Sequence, residues 1–152
     1  MKEKIKSKLV IEIEKKIEQL ILANGFEIVD INSVGGKNKH LMVSLYNNRN
    51  CGIDDLAKIN RLIRPILESI PVLGNDFTLE VSSPGIYRDF RYIKEFNIFK
   101  GRKIKILTEK NVVLYATCLG LKDDYLVFLD DSDDKEIKNI KINEIKSANL
   151  NG

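Results

Sequence analysis

Leu79-Glu80-Val81-Ser82-Ser83-Pro84-Gly85-Ile86-Tyr87-Arg88 is the stretch at which the character of the chain changes. Phe77, Leu79 and Val81 alternate as a half-buried strand does, and Pro84-Gly85 turns the chain out of it. The hydroxyls of Ser82 and Ser83 and the guanidinium of Arg88 are then expected just beyond the sheet, with Arg88 aimed outward. Upstream, helical and strand periods alternate. Downstream, short strands follow one another with tight connections.

Working back toward the N-terminus, apolar residues recur at helical spacing from about Lys4 to Asn24 (Ile5, Leu9, Ile13, Ile17, Leu20, Ile21), and Gly25 stands where a helix C-cap belongs. Phe26 to Val34 is rich in β-branched residues, Gly35 and Gly36 mark a turn, and His40 to Tyr46 alternates with Leu41, Val43 and Leu45 on one face. This predicts a β-hairpin covered by the helix. Asp54 or Asp55 is placed to cap a second helix through about Ser69, in which Pro65 removes an amide and predicts a kink or an early end. With the strand at Phe77–Val81 the order is α-β-β-α-β.

Past the Pro-Gly turn, Arg91 to Phe99 predicts a short amphipathic helix or turn. Strands are expected at Lys103–Thr108, Val112–Leu119, Tyr125–Leu129 and Glu136–Ile142, with a last piece around Ala148–Leu150. Several short strands in so few residues predict a small closed barrel. The fold class is therefore α+β: an N-terminal domain over 1–86 and a small C-terminal β-barrel over 87–152.

The chain of 152 residues is 43% hydrophobic and 31% charged, a globular profile with enough apolar material for cores. Its formal net charge of +3 is too small to identify a partner, so the distribution of charge matters more. Charges at Glu12, Glu14, Lys15 and Lys16 break the first apolar run and exclude a signal peptide or membrane span, leaving the cytoplasm as the expected compartment. Cys51 and Cys118 lack metal-ligand spacing and are expected as reduced thiols, Cys118 within the barrel core.

Catalytic chemistry finds little to use. His40 is the chain's single histidine, on the polar side of its strand, and no nucleophile elbow surrounds Ser82 or Ser83. Gly35-Gly36-Lys37 lacks the remaining residues of a phosphate loop and reads as a hairpin turn. No enzyme, metal or cofactor is expected. The acidic run at Asp130, Asp131, Asp133 and Asp134 lacks the glycine and glutamate of a calcium loop; it is either a solvated connection or a surface for a basic partner. Between Arg88 and Lys110, the cations Arg88, Arg91, Lys94, Lys100, Arg102, Lys103, Lys105 and Lys110 are interleaved with Tyr87, Phe90, Tyr92 and Phe96. Two readings stay open. Either the cations neutralise phosphates while the rings stack on unpaired bases, or the rings pack between domains and the cations are solvated. For Arg88 the alternative to phosphate is a structural pair with Asp89 or Glu80.

The segment Leu79–Arg88 closely resembles the signature L-E-V-S-S-P-G-x-x-R of the ribosome maturation factor RimP family. Three further matches follow in order: Ala23–Val29 resembles the family's first helix-to-strand junction, Gly52–Asp55 its entry to the second helix, and Ile145–Leu150 its final strand. The resemblance implies an N-terminal α/β domain, a C-terminal Sm-like (SH3-like) barrel, and assistance to assembly of the small (30S) ribosomal subunit without catalysis. The implied partners are rRNA and a ribosomal protein near the decoding centre, met by a monomer. The rRNA-facing set is expected to be Ser82, Ser83, Pro84, Gly85, Arg88, Arg91, Arg102, Lys103 and Lys105, with the acidic run facing the ribosomal protein. A free-standing Sm-like RNA chaperone or regulator is the alternative. One departure is visible: where the family has Pro-Leu after the arginine, Asp89-Phe90 stands here, which predicts a less stiff connection.

Overall fold

In the computed structural model, which describes residues 1–35, 39–49, 52–132 and 135–152, helix α1 (Lys8–Ala23) starts where the Ser7 hydroxyl accepts a bond from the Val10 amide at 3.2 Å. That bond satisfies one of the first-turn donors a helix leaves open. The other end is closed by Gly25, whose φ of +83° is open to glycine without strain; the Phe26 amide then reaches back to the Ile21 carbonyl at 3.1 Å. Val10, Ile13, Ile17 and Ile21 form the buried stripe. The strands it covers are β1 (Glu27–Val34) and β2 (Lys39–Tyr46), an antiparallel pair with a bulge between Ile28 and Asp30. As the alternation requires, Leu41, Val43 and Leu45 are fully buried.

Helix α2 (Ile53–Glu68) then carries the chain over to β3 (Phe77–Ser82), which lies parallel to β2, giving the order β1-β2-β3. A parallel neighbour needs such a crossover, and the helix supplies it. The cap itself is Gly52, whose amide donates to the Asp55 carboxylate at 3.0 Å, so Asp55 serves the helix start from inside the first turn. As its expected span to about Ser69 requires, α2 runs to Glu68, and Pro65 does not end it early. Pro65 lies in the last turns, and Ile59, Ile63 and Leu67 bury the helix on both sides of it. These elements form one compact unit, Lys6–Pro84.

The second unit comprises Gly85–Gly152 together with Met1–Ile5. Its first five residues are bound to it, since the Lys4 amide donates to the Arg91 carbonyl at 3.0 Å and the Glu3 carboxylate accepts from the Ile93 amide at 2.8 Å. Helix α1 therefore begins four residues later than the apolar period from Lys4 predicts. After the short helix α3 (Glu95–Ile98) come β4 (Lys103–Thr108), β5 (Val113–Lys122), β6 (Tyr125–Asp130), β7 (Ile137–Lys141), a 3-10 turn (Ile142–Glu144) and β8 (Ile145–Leu150). They form an antiparallel sheet in the order β7-β6-β5-β4-β8. The antiparallel strands are those expected, but closure into a barrel is not observed: among the described residues β7 pairs with β6 and β8 with β4, and not with each other.

Strand β5 outruns its predicted end because a bulge between Cys118 and Gly120 lets it bend and resume pairing. Gly120 has a φ of +98°, and a Cβ there would collide with the Lys100 side chain. The residues Asp89-Phe90 are held on β8: the Phe90 amide donates to the Ala148 carbonyl at 2.8 Å and the Leu150 amide to the Arg88 carbonyl at 2.9 Å. The amide of position 89 is not a donor in either bond, which is where a strand-like segment tolerates proline.

Candidate functional site

Two clusters in the second unit bring together several of the residues singled out in the sequence. The first centres on Arg88. Instead of pointing into solvent, its guanidinium grips Glu95 with Nε–Oε1 at 2.8 Å and Nη2–Oε2 at 3.1 Å. The same carboxylate accepts from the backbone amides of Arg91 at 2.7 Å and Tyr92 at 2.9 Å. Glu95 is fully buried and the Arg88 side chain is 11% exposed. The outward aim expected for Arg88 is therefore corrected: it takes the structural role of pairing with a carboxylate, and that carboxylate is Glu95. A carboxylate without access to water needs its charge matched and its lone pairs filled, and a planar guanidinium does both at once.

Around this pair lie the aromatic residues. Phe90, Tyr92, Phe96 and Phe99 are all buried, with Phe90 edge-on to Phe96 at 5.1 Å and stacked on Phe99 at 5.3 Å. They are the second unit's own core. Neither open reading of these rings holds for them: they are not presented to bases, and they pack within one unit. Tyr87 is the exception, 67% exposed. Cys118 belongs to the same core; its thiol donates to the Phe96 carbonyl at 3.1 Å, and burial pushes its pKa up to about 11. That is the opposite of what a nucleophile needs.

The second cluster joins residues expected on opposite surfaces. Lys103 on β4 pairs with Asp131 after β6 at 3.0 Å, and Thr117 Oγ1 donates to the same carboxylate at 3.3 Å. A cation assigned to rRNA and an acid assigned to protein thus neutralise each other. Asp130 is buried; its carboxylate accepts from the Ser132 amide at 2.9 Å, the Ser132 hydroxyl at 2.7 Å and Lys138 Nζ at 2.9 Å. The Ser132 bonds, followed by Lys138, hold its pKa far below the usual carboxylate range. It shapes the turn out of β6 and is not a solvated knob. Asp133 and Asp134 lie outside the described residues, as do Gly36, Lys37 and Cys51.

Of the remaining expected cations, Arg91 is exposed, while Arg102 and Lys105 are half-buried. In the first unit Ser83 is exposed and Ser82 and Pro84 are half-buried at the end of β3. His40 approaches Glu80 at 3.3 Å, both well exposed. No group of three or more His, Cys, Asp or Glu side chains is arranged to hold a metal among the described residues. No helix of the described residues is long and apolar enough to cross a membrane. The residue missed in the sequence is Glu95. Its signal was a lone acid inside a basic, aromatic run, one residue before Phe96.

Residues 16–87 match the family model described as RimP N-terminal domain. Over 140 residues the chain is 33% identical to the ribosome maturation factor RimP of Borrelia turicatae, covering 91% of this chain and 94% of the relative. The same share of this chain is 31% identical to the ribosome maturation factor RimP of Borrelia hermsii, with 94% of that relative covered. Identity to the ribosome maturation factor RimP of Borreliella afzelii is 35% over 141 residues, 91% of this chain and 93% of the relative.

Proposed function

The chain belongs to the RimP family of ribosome maturation factors, and from that membership we propose that it assists assembly of the small (30S) ribosomal subunit by binding rRNA and a ribosomal protein, without a catalytic step. The observation that carries this reading is identity of 31–35% sustained over 91% of the chain, so that it spans both units. The mechanism is population shift. A factor that binds one arrangement of a partly folded subunit more tightly than the alternatives raises the share of that arrangement in proportion to the difference in affinity.

Within this reading, rRNA contact falls to Arg91, Arg102, Lys105 and the turn Ser82–Gly85, with Arg88 set aside because it clamps Glu95 and Lys103 because it pairs with Asp131. Arg88 acts indirectly: by clamping Glu95 it fixes the backbone of Arg91 and Tyr92 and so the presentation of the exposed Arg91. The protein works as a monomer in the cytoplasm. Sedimentation of cell extract tests the proposal. Comigration with free small subunits and absence from complete ribosomes is the expected result. Equal recovery in complete ribosomes, or migration as free protein alone, refutes it.

A further inference from the structure

The second unit has an open pocket of about 700 Å³ that none of the expected site residues reaches, lined by Lys2, Asp124, Tyr125, Lys141 and Asn143 among others. Its aromatic wall is placed by sheet register. Tyr125 opens β6, and its cross-strand neighbours are Lys122 on β5 and Lys141 on β7. A tyrosine between two lysines thus forms one row across three strands, and residues directly opposite in a sheet lie within reach of each other. Lys141 Nζ stands 6.0 Å from the centre of the Tyr125 ring, which is 36% exposed. None of Lys2, Lys122 and Lys141 is in an ion pair among the described residues. Two bonds tie the pocket's rim: the Ile142 amide donates to the Asp124 carbonyl at 2.9 Å, and the Met1 amine to the Ile142 carbonyl at 3.1 Å.

We propose that this pocket seats one unstacked RNA nucleotide, its base against the Tyr125 ring and its phosphate between Lys2 and Lys141, with Lys122 across the sheet from the ring adding positive charge nearby. An exposed aromatic face binds any base by stacking, and lysines beside it release counterions from the phosphate they meet. The volume lies in the range that small ligands fill. Asn143 and Asp124 line the same space and supply an amide and a carboxylate for the polar edge of a base. This assignment rests on the reading of the protein as an rRNA-binding assembly factor, and places one contact far in sequence from Arg91 and Lys105.

The chain contains no tryptophan, so Tyr125→Trp introduces a single indole fluorophore at the site. The test titrates this variant, Tyr125→Ala, Tyr125→Phe and Lys141→Ala with short single-stranded oligoadenylate and with isolated small subunits, after circular dichroism has verified each fold. Stacking predicts quenching of the indole emission, wild-type affinity for Tyr125→Phe, and a loss of roughly 5- to 150-fold for Tyr125→Ala. Lys141→Ala flattens the slope of log affinity against log salt by about 0.7. If Tyr125→Ala does not fold, the other two substitutions at Tyr125 still decide, because unquenched indole emission on saturation overturns the assignment. Salt-dependent wild-type binding that is indifferent to Tyr125→Ala overturns the pocket and leaves the functional reading standing. No wild-type binding to either target overturns both. Weakened binding to a basic ribosomal protein with RNA affinity unchanged makes the pocket a protein contact, and the assignment is wrong.

Discussion

Replacing Arg88 by alanine separates a clamp from a phosphate contact. The variant leaves Glu95 buried with two of its four hydrogen-bond donors gone, the remaining two being the amides of Arg91 and Tyr92. Removing one partner of a buried ion pair costs about 3–5 kcal/mol, because the other charge is left without compensation. The two backbone donors still soften that charge, so the lower end, about 3 kcal/mol, is the working figure. Urea unfolding followed by circular dichroism measures it. With slopes of about 1–3 kcal/mol per M, the midpoint falls by roughly 1–3 M. Pairing Arg88→Ala with Glu95→Gln recovers part of the loss, since a neutral amide oxygen still accepts from both backbone amides and leaves no buried charge. Binding of Arg88→Ala to small subunits, below its unfolding range, keeps the wild-type salt slope. A wild-type urea midpoint together with a slope flattened by about 0.7 would refute the clamp and return Arg88 to the phosphate-contacting set.

Further outcomes are expected elsewhere. Lys105→Ala flattens the salt slope of subunit binding by about 0.7 without moving the unfolding midpoint, as a phosphate contact on a sheet surface does; titration at several salt concentrations measures the slope and urea unfolding the midpoint. Cys118 remains a thiol in the folded state up to about pH 11, whereas an unfolded thiol ionises near its ordinary value of about 9. Between these values the unfolded state binds fewer protons than the folded one, so stability in urea falls as pH rises through that window, and Cys118→Ser removes the effect. Gly120→Ala destabilises by about 1–2 kcal/mol, read by thermal or urea unfolding, because it strains a φ of +98°; the added methyl group also pushes aside the end of the exposed Lys100 side chain.

Much of the first unit was legible because its signals are local and periodic. The alternation of Leu41, Val43 and Leu45 depends only on successive side chains pointing to opposite faces, and all three are buried. Gly25 announced the end of α1 because few other residues adopt its φ without strain. The second unit's strands were found the same way, with ends misplaced where bulges and turns override alternation, as at Cys118 and Gly120. The family signature was legible too, since its hydroxyls, Pro84, Gly85 and Arg88 stand in one short run.

Reading roles from that run was harder. Composition around Arg88 shows cations and aromatic rings, but an irregular segment has no period to say which side chain turns inward. Only the packing of 88–99 against β8 and β5 put Phe90, Phe96 and Phe99 into a core and left Tyr87 outside. Charge was misread for the same reason. Lys103 and Asp131 are 28 residues apart, and they meet because β4, β5 and β6 lie side by side in register. Whether a charge reaches a partner or solvent depends on what lies across the sheet from it. The order of the elements and the family could be read along the chain; which charges neutralise one another could not, because the distance between two side chains is set by strand pairing and not by their separation along the chain.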